Sequence, residues 1–84
     1  MEENIKQVIV EFISEKSKIP QSELQDDTEV YDSNIISSLS LLEMISMIEN
    51  RYAVVIEPEE LIEDNFKYIG TIVGFIRAKL SAKR

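Results

Sequence analysis

Three stretches of this chain repeat apolar side chains at intervals of three and four residues, which commits most of its length to amphipathic helices. Ile5, Val8, Ile9, Phe12 and Ile13 form the first stripe. That helix should stop by about Lys18, because Pro20 lacks an amide hydrogen and pushes the residue before it out of helical space. Leu41, Leu42, Ile45, Ile48 and Tyr52 form the second, predicting a helix from about Leu39 to Arg51 that ends where Ala53-Val54-Val55-Ile56 turns β-branched. Ile69, Ile72, Val73, Ile76 and Leu80 form the last, although Gly70 and Gly74 inside it cost roughly 1 kcal/mol each relative to Ala. Ahead of it, Pro58 suits a first helical turn; Glu59, Glu60 and Glu63 follow, with Leu61 and Ile62 as apolar contacts, which predicts a short third helix.

From Gln21 to Ile36 no period is sustained, and Asp26-Asp27-Thr28 and Asp32-Ser33-Asn34 are turn formers. A connection this long exceeds the usual link between packed helices, so it should be functional or strapped down. Val30, Tyr31, Ile35 and Ile36 would strap it to the core, leaving Ser33, Asn34, Ser37 and Ser38 exposed. With 84 residues the chain can hold one core. The expected architecture is therefore all-α: a four-helix bundle of three main helices and a short third, with a long loop between the first two, forming a single domain over 1–84.

Net charge is -7, which disfavours binding to the phosphates of nucleic acid or to an anionic membrane surface. No apolar run is long enough for a membrane span, and the expected setting is the cytoplasm. The chain contains no Cys and no His, so the usual zinc ligands, a cysteine nucleophile and the commonest general base are absent. Charge is also segregated. Residues 23–64 hold twelve acids and one base, Arg51, whereas residues 65–84 hold five bases and no acid. An acidic run of this kind reads either as a solvated face or as a docking surface for basic partners. The Glu59-Glu60-Glu63-Asp64 cluster lacks the ligand loop and glycine of a calcium site and reads as a solvated face, so no metal site is expected.

The serines at the start of the second helix, Ile36-Ser37-Ser38-Leu39-Ser40-Leu41-Leu42-Glu43, stand where the loop meets the positive end of a helix dipole. A phosphate esterified there would be stabilised by free backbone amides and by the dipole. Serine is also a favoured N-cap, and Ser40 with Glu43 fits the Ser-x-x-Glu capping box. Whichever of Ser37, Ser38 and Ser40 is not the cap remains free.

The segment from Val30 to Ile45 resembles the prosthetic-group region of acyl carrier proteins. Ile48-Glu49-Asn50-Arg51-Tyr52, Ile56-Glu57-Pro58-Glu59-Glu60-Leu61 and Asn65-Phe66-Lys67-Tyr68-Ile69 resemble later parts of that family in the same order. The resemblance implies a carrier with no catalysis of its own. A serine receives 4'-phosphopantetheine from coenzyme A by the action of a phosphopantetheinyl transferase, and the arm's thiol holds an acyl or aminoacyl group as a thioester. The family places its modified serine immediately before a Leu or Ile, with the apolar pattern of the second helix following, and Ser38-Leu39 fits that register. Ser37 and Ser33 are the alternatives behind it: Ser37 stands where the family has Asp, and Asp32-Ser33 matches by letters alone.

By the same resemblance, the Asp before the serine and an acid two places after it contribute to transferase recognition; here those positions hold Ser37 and Ser40. Leu39, Leu42, Glu43, Met47 and Glu49 would meet partner enzymes that load and transfer the acyl group, with the carrier acting as a monomer. Leu39 and Met47 are expected to be exposed, Leu42 lies at the edge of the apolar stripe, and a gap between the helices would have room for an acyl chain. The competing expectation is an unmodified helical interaction module that keeps the carrier fold, for which Ser37 and Ser40 in place of the acids are the best support.

Overall fold

The computed structural model describes residues 4–31 and 35–82. Helix α1 (Ile5–Ser17) is followed by a 3-10 turn (Gln21–Glu23), helix α2 (Ser38–Tyr52), a second 3-10 turn (Pro58–Glu60), one-turn helix α3 (Glu63–Phe66) and helix α4 (Ile69–Ala82). Asn4 caps α1 by accepting from the Gln7 amide, and Lys18 closes it in the left-handed region at φ 67°. The helix thus stops two residues ahead of Pro20, as the sequence predicts. Ala53 closes α2 in the same conformation at φ 54°, where the chain becomes β-branched.

The core gathers Ile5, Ile9, Val10 and Ile13 of α1, Met44, Ile45 and Ile48 of α2, Phe66 of α3, and Ile69, Ile72, Val73 and Ile76 of α4. Leu24, Val30, Val54 and Ile56 complete it from the connections. In α2 the buried face is rotated from the expected stripe. Met44 is fully buried, Leu41 and Tyr52 are half-buried, and Leu42 points outward.

Two expectations need correction. The short third helix is broken into a 3-10 turn at Pro58–Glu60 and α3 at Glu63–Phe66, because Leu61 and Ile62 leave helical geometry between them. Met47, expected to be exposed, is half-buried against the core, since it follows Met44 by three residues and shares its side of the helix.

The long loop is lashed to the N-terminus of α4. The Val30 amide donates to the Lys67 carbonyl at 2.7 Å, the Ile69 amide to Thr28 O at 3.1 Å and the Gly70 amide to Asp26 O at 2.8 Å. The first two form an antiparallel bridge between Glu29 and Tyr68. Loop carbonyls thereby satisfy two first-turn amides of α4 that have no partner within the helix. Val30 is fully buried, and Tyr31, Ile35 and Ile36 pack against the core, so the strap runs where the sequence places it.

The two glycines of α4 differ in kind. A Cβ on Gly70 would meet Asp26 O at 3.1 Å and Asp26 Cβ at 3.3 Å, whereas one on Gly74 meets nothing within 4 Å. Gly74→Ala should therefore stabilise the fold by about 1 kcal/mol through helix propensity and raise the melting temperature by about 4–8 °C. Gly70→Ala should leave the protein no more stable than its parent, because the Asp26 carbonyl it would displace is held by its hydrogen bond to the Gly70 amide. Thermal and urea denaturation of the two variants side by side checks both.

Candidate functional site at the start of helix α2

Ser37 is the N-cap of α2. Its hydroxyl oxygen accepts from the Ser40 amide at 3.1 Å, and its carbonyl accepts from the Leu41 amide at 2.9 Å. The Ser37 hydroxyl in turn donates to Ser40 Oγ at 3.3 Å. The helix begins one residue earlier than its apolar pattern suggests, which puts Ser40 inside the first turn and rules out the Ser40-Glu43 capping box. Glu43 instead pairs with Lys16 of α1 at 3.1 Å.

With Ser37 and Ser40 engaged, Ser38 is left as the first residue of α2, exposed and with no side-chain hydrogen bond to the described residues. Ser33, with its neighbours Asp32 and Asn34, lies outside the described residues. Leu39 is 67% exposed and Leu42 55%, and three-residue spacing puts them on one side of the helix next to Ser38.

Ser38 also borders an apolar cavity of about 200 Å³. Tyr31 of the loop, Leu41, Leu42 and Ile45 of α2, Leu61 and Phe66 line it together with Ser38. Among the described residues no charged side chain lines it. Sequence reasoning raises a gap between helices but cannot place it, because its walls come from three segments that only the folded chain brings together.

Of the two acids expected at the partner-facing side of α2, Glu43 is exposed but ion-paired. Glu49 is half-buried, and its carboxylate accepts from the Ile56 amide at 2.9 Å, tying the extended Val54–Ile56 stretch back to the helix. Outside the cavity lining, at the residue just before Leu61, Glu60 Oε1 lies 2.6 Å from Lys79 Nζ of α4. The hydrogen bond from Lys79, reinforced by one from the Glu57 amide, holds the Glu60 carboxyl below its ordinary range against a smaller opposing effect of burial. The Glu60 carboxylate thus stays ionised throughout the neutral range.

A free hydroxyl at the mouth of a long helix, with an apolar recess beside it, suits attachment of an extended arm and its cargo. The family model for the phosphopantetheine attachment site matches residues 7–76, and the chain belongs to that family of phosphopantetheine-binding carrier domains. Members are non-catalytic carriers with a covalently attached 4'-phosphopantetheine. No curated protein matches the chain. The residues present fit the group: an esterified phosphate on Ser38 would stand at the α2 N-terminus, where backbone amides and the helix dipole favour negative charge. Among the described residues no helix is long and apolar enough to cross a membrane.

The division of labour between adjacent serines has a measurable consequence. Ser37→Ala removes the cap and should lower stability by about 1 kcal/mol, whereas Ser38→Ala, exposed and unbonded, should stay within about 0.5 kcal/mol of the parent. Urea unfolding of the two variants shows which serine carries the helix cap.

Proposed function

We propose that this chain is an acyl carrier: Ser38 bears the phosphopantetheine arm, whose thiol holds an acyl group as a thioester while it passes between biosynthetic enzymes. The observation that supports it most is the exposed, unbonded Ser38 hydroxyl between a capped helix start and an apolar cavity. In the modification the Ser38 oxygen forms a phosphoester with the phosphopantetheinyl group, the remainder of coenzyme A leaves as adenosine 3',5'-bisphosphate, and the transferase removes the serine proton. The carrier supplies a positioned nucleophile and a surface.

The cavity bears on the cargo. An apolar cavity of about 150 Å³ accommodates benzene, so one of about 200 Å³ has room for on the order of six to eight non-hydrogen atoms. Its walls offer an ammonium group no partner, and burying such a charge unpaired is costly. A medium-length apolar acyl chain fits this site better than an aminoacyl group. Partner enzymes would meet Leu39 and Leu42 beside Ser38, with Glu43 at the rim. Met47 and Glu49 would act from within the helix packing that positions that surface.

Intact mass after incubation with coenzyme A and a broad-specificity phosphopantetheinyl transferase tests the assignment, with Ser33→Ala, Ser37→Ala and Ser38→Ala variants in parallel. The expected result is a single phosphopantetheine adduct lost only in Ser38→Ala. Loss in Ser33→Ala or Ser37→Ala alone would reassign the attachment site. No adduct on any form, while a control carrier is modified, favours an unmodified interaction module, the reading that Ser37 and Ser40 in place of acids supports. Ser37→Asp keeps a capping oxygen and adds a charge-assisted contact of about 1.5 kcal/mol or more, so it should speed modification by about tenfold.

A further inference from the structure

We propose that the Glu60–Lys79 ion pair is a latch on the cargo cavity: it holds the wall between Ile56 and Phe66 against α4, and an apolar acyl chain is retained only while the pair is intact. The inference rests on the carrier reading above. That wall supplies two of the cavity's lining residues, Leu61 and Phe66. It is anchored in the core at its ends, by Ile56 and Phe66, and every residue from Glu57 to Asn65 is at least partly exposed. Glu60 stands midway along this span, immediately before Leu61, the partly buried residue that packs against the core between those ends.

Glu60 is also the point where the span is fastened. Its side chain accepts from the Glu57 amide at 2.9 Å, its carbonyl accepts from Asn65 Nδ2 at 2.8 Å, and its carboxylate reaches Lys79 on α4. One residue thereby couples the Pro58–Glu60 turn, α3 and α4. Lys79 is itself placed by Phe75, over whose ring its ammonium lies at 5.7 Å. Phe75 meets Phe66 edge to face at 5.4 Å, so the cation, the aromatic pair and the cavity wall are one contiguous packing unit.

The pair also differs from Lys6–Asp26, Lys16–Glu43 and Lys67–Glu63, each of which has a partner more than 40% exposed. The Lys79 and Glu60 side chains are only 21% and 30% exposed. The pair is screened enough to hold and exposed enough to release. Neither Glu60 nor Lys79 lines the cavity; they act through the wall they hold and are positioning residues.

The test has two arms. In the first, parent, Glu60→Gln, Lys79→Met and the charge swap Glu60→Lys/Lys79→Glu are loaded by the transferase from acetyl- or octanoyl-coenzyme A. Thioester cleavage by hydroxylamine is followed by intact mass and normalised to the same acyl group on free pantetheine. An open state populated at about 10% or less gives about tenfold or greater protection. That protection is expected for octanoyl on the parent, with little for acetyl, which is too short to enter. Glu60→Gln and Lys79→Met should abolish the octanoyl protection without changing acetyl, and the charge swap should restore it. Equal octanoyl protection in parent and single variants, or none in the parent, overturns the latch.

The second arm measures amide hydrogen exchange in the unmodified proteins and needs no cargo. Exchange at Leu61 and Asn65 should accelerate in the single variants while that of α1 is unchanged, and unaltered exchange at both positions overturns the latch. Failure to load any form shows separately, before either rate is measured, and counts against the carrier reading.

Discussion

The backbone lashing between the long loop and the N-terminus of α4 is the constraint on which the rest of the molecule depends. Two needs are met by the same bonds. Loop amides and carbonyls, costly to leave unpaired beside a core, find partners, and α4 receives for its first turn the acceptors that no side chain of its own provides. Gly70 permits the approach, since a side chain there would press on the Asp26 carbonyl. With Val30 seated in the core, Tyr31 is delivered to the cavity next to Ser38. A loop free at this point would leave the cavity without one of its walls.

Charge segregation along the chain acquires a structural meaning in this fold. Among the described residues, four ion pairs each join a base from outside residues 23–64 to an acid within them: Lys6 to Asp26, Lys16 to Glu43, Lys67 to Glu63 and Lys79 to Glu60. The acid-rich middle is drawn toward α1, toward α4 and toward the turn between α3 and α4. Individually, exposed pairs of this kind contribute little, about 0–1 kcal/mol. Their value lies in arrangement, since opposite charge favours the native neighbours of the middle segment and like charge disfavours its folding back on itself. The basic tail read from the sequence is thus partly spent within the fold, because Lys67 and Lys79 are both engaged.

The helical plan is legible because three stretches are strongly periodic. The loop's attachment is legible from Val30, Tyr31, Ile35 and Ile36, apolar residues with no other reason to interrupt a turn-rich segment. The break in the third helix is not, because Pro58 and the glutamates after it favour a helical start while saying nothing about where Leu61 must point. Leu61 lines the cavity, and that demand is tertiary. The cap is hidden for a similar reason: Ser37 and Ser40 are both good caps, and the choice depends on the first residue of α2, to which the apolar stripe is insensitive within one turn. Met44 lies off the stripe through Leu41, Leu42, Ile45 and Ile48, and only the folded core, by drawing in the neighbouring face, shows that it is buried.

If Ser38 bears the arm, the neighbouring Ser37 would alter a recognition surface without altering the start of the helix. Asp and Ser are comparable N-caps, so Ser37 at the position where acyl carrier proteins hold Asp preserves the start of the helix and discards only a charge. Ser40 takes its place in the first turn without one as well. Glu43 and Glu49, the carboxylates further along α2, are committed to Lys16 and to the Ile56 amide. Among the described residues, the surface around Ser38 consists chiefly of Leu39, Leu42 and uncharged serines, with the ion-paired Glu43 at its rim. Docking on such a surface draws its stability from burying the two leucines, at roughly 25 cal/mol per Å² of apolar area, rather than from ion pairs. A partner matched to it needs an apolar recess beside its active site, and a basic patch shaped for acidic helices gains little there. On the carrier proposal, the Ser38 site would therefore favour enzymes that bury Leu39 and Leu42 over enzymes that read acidic helices.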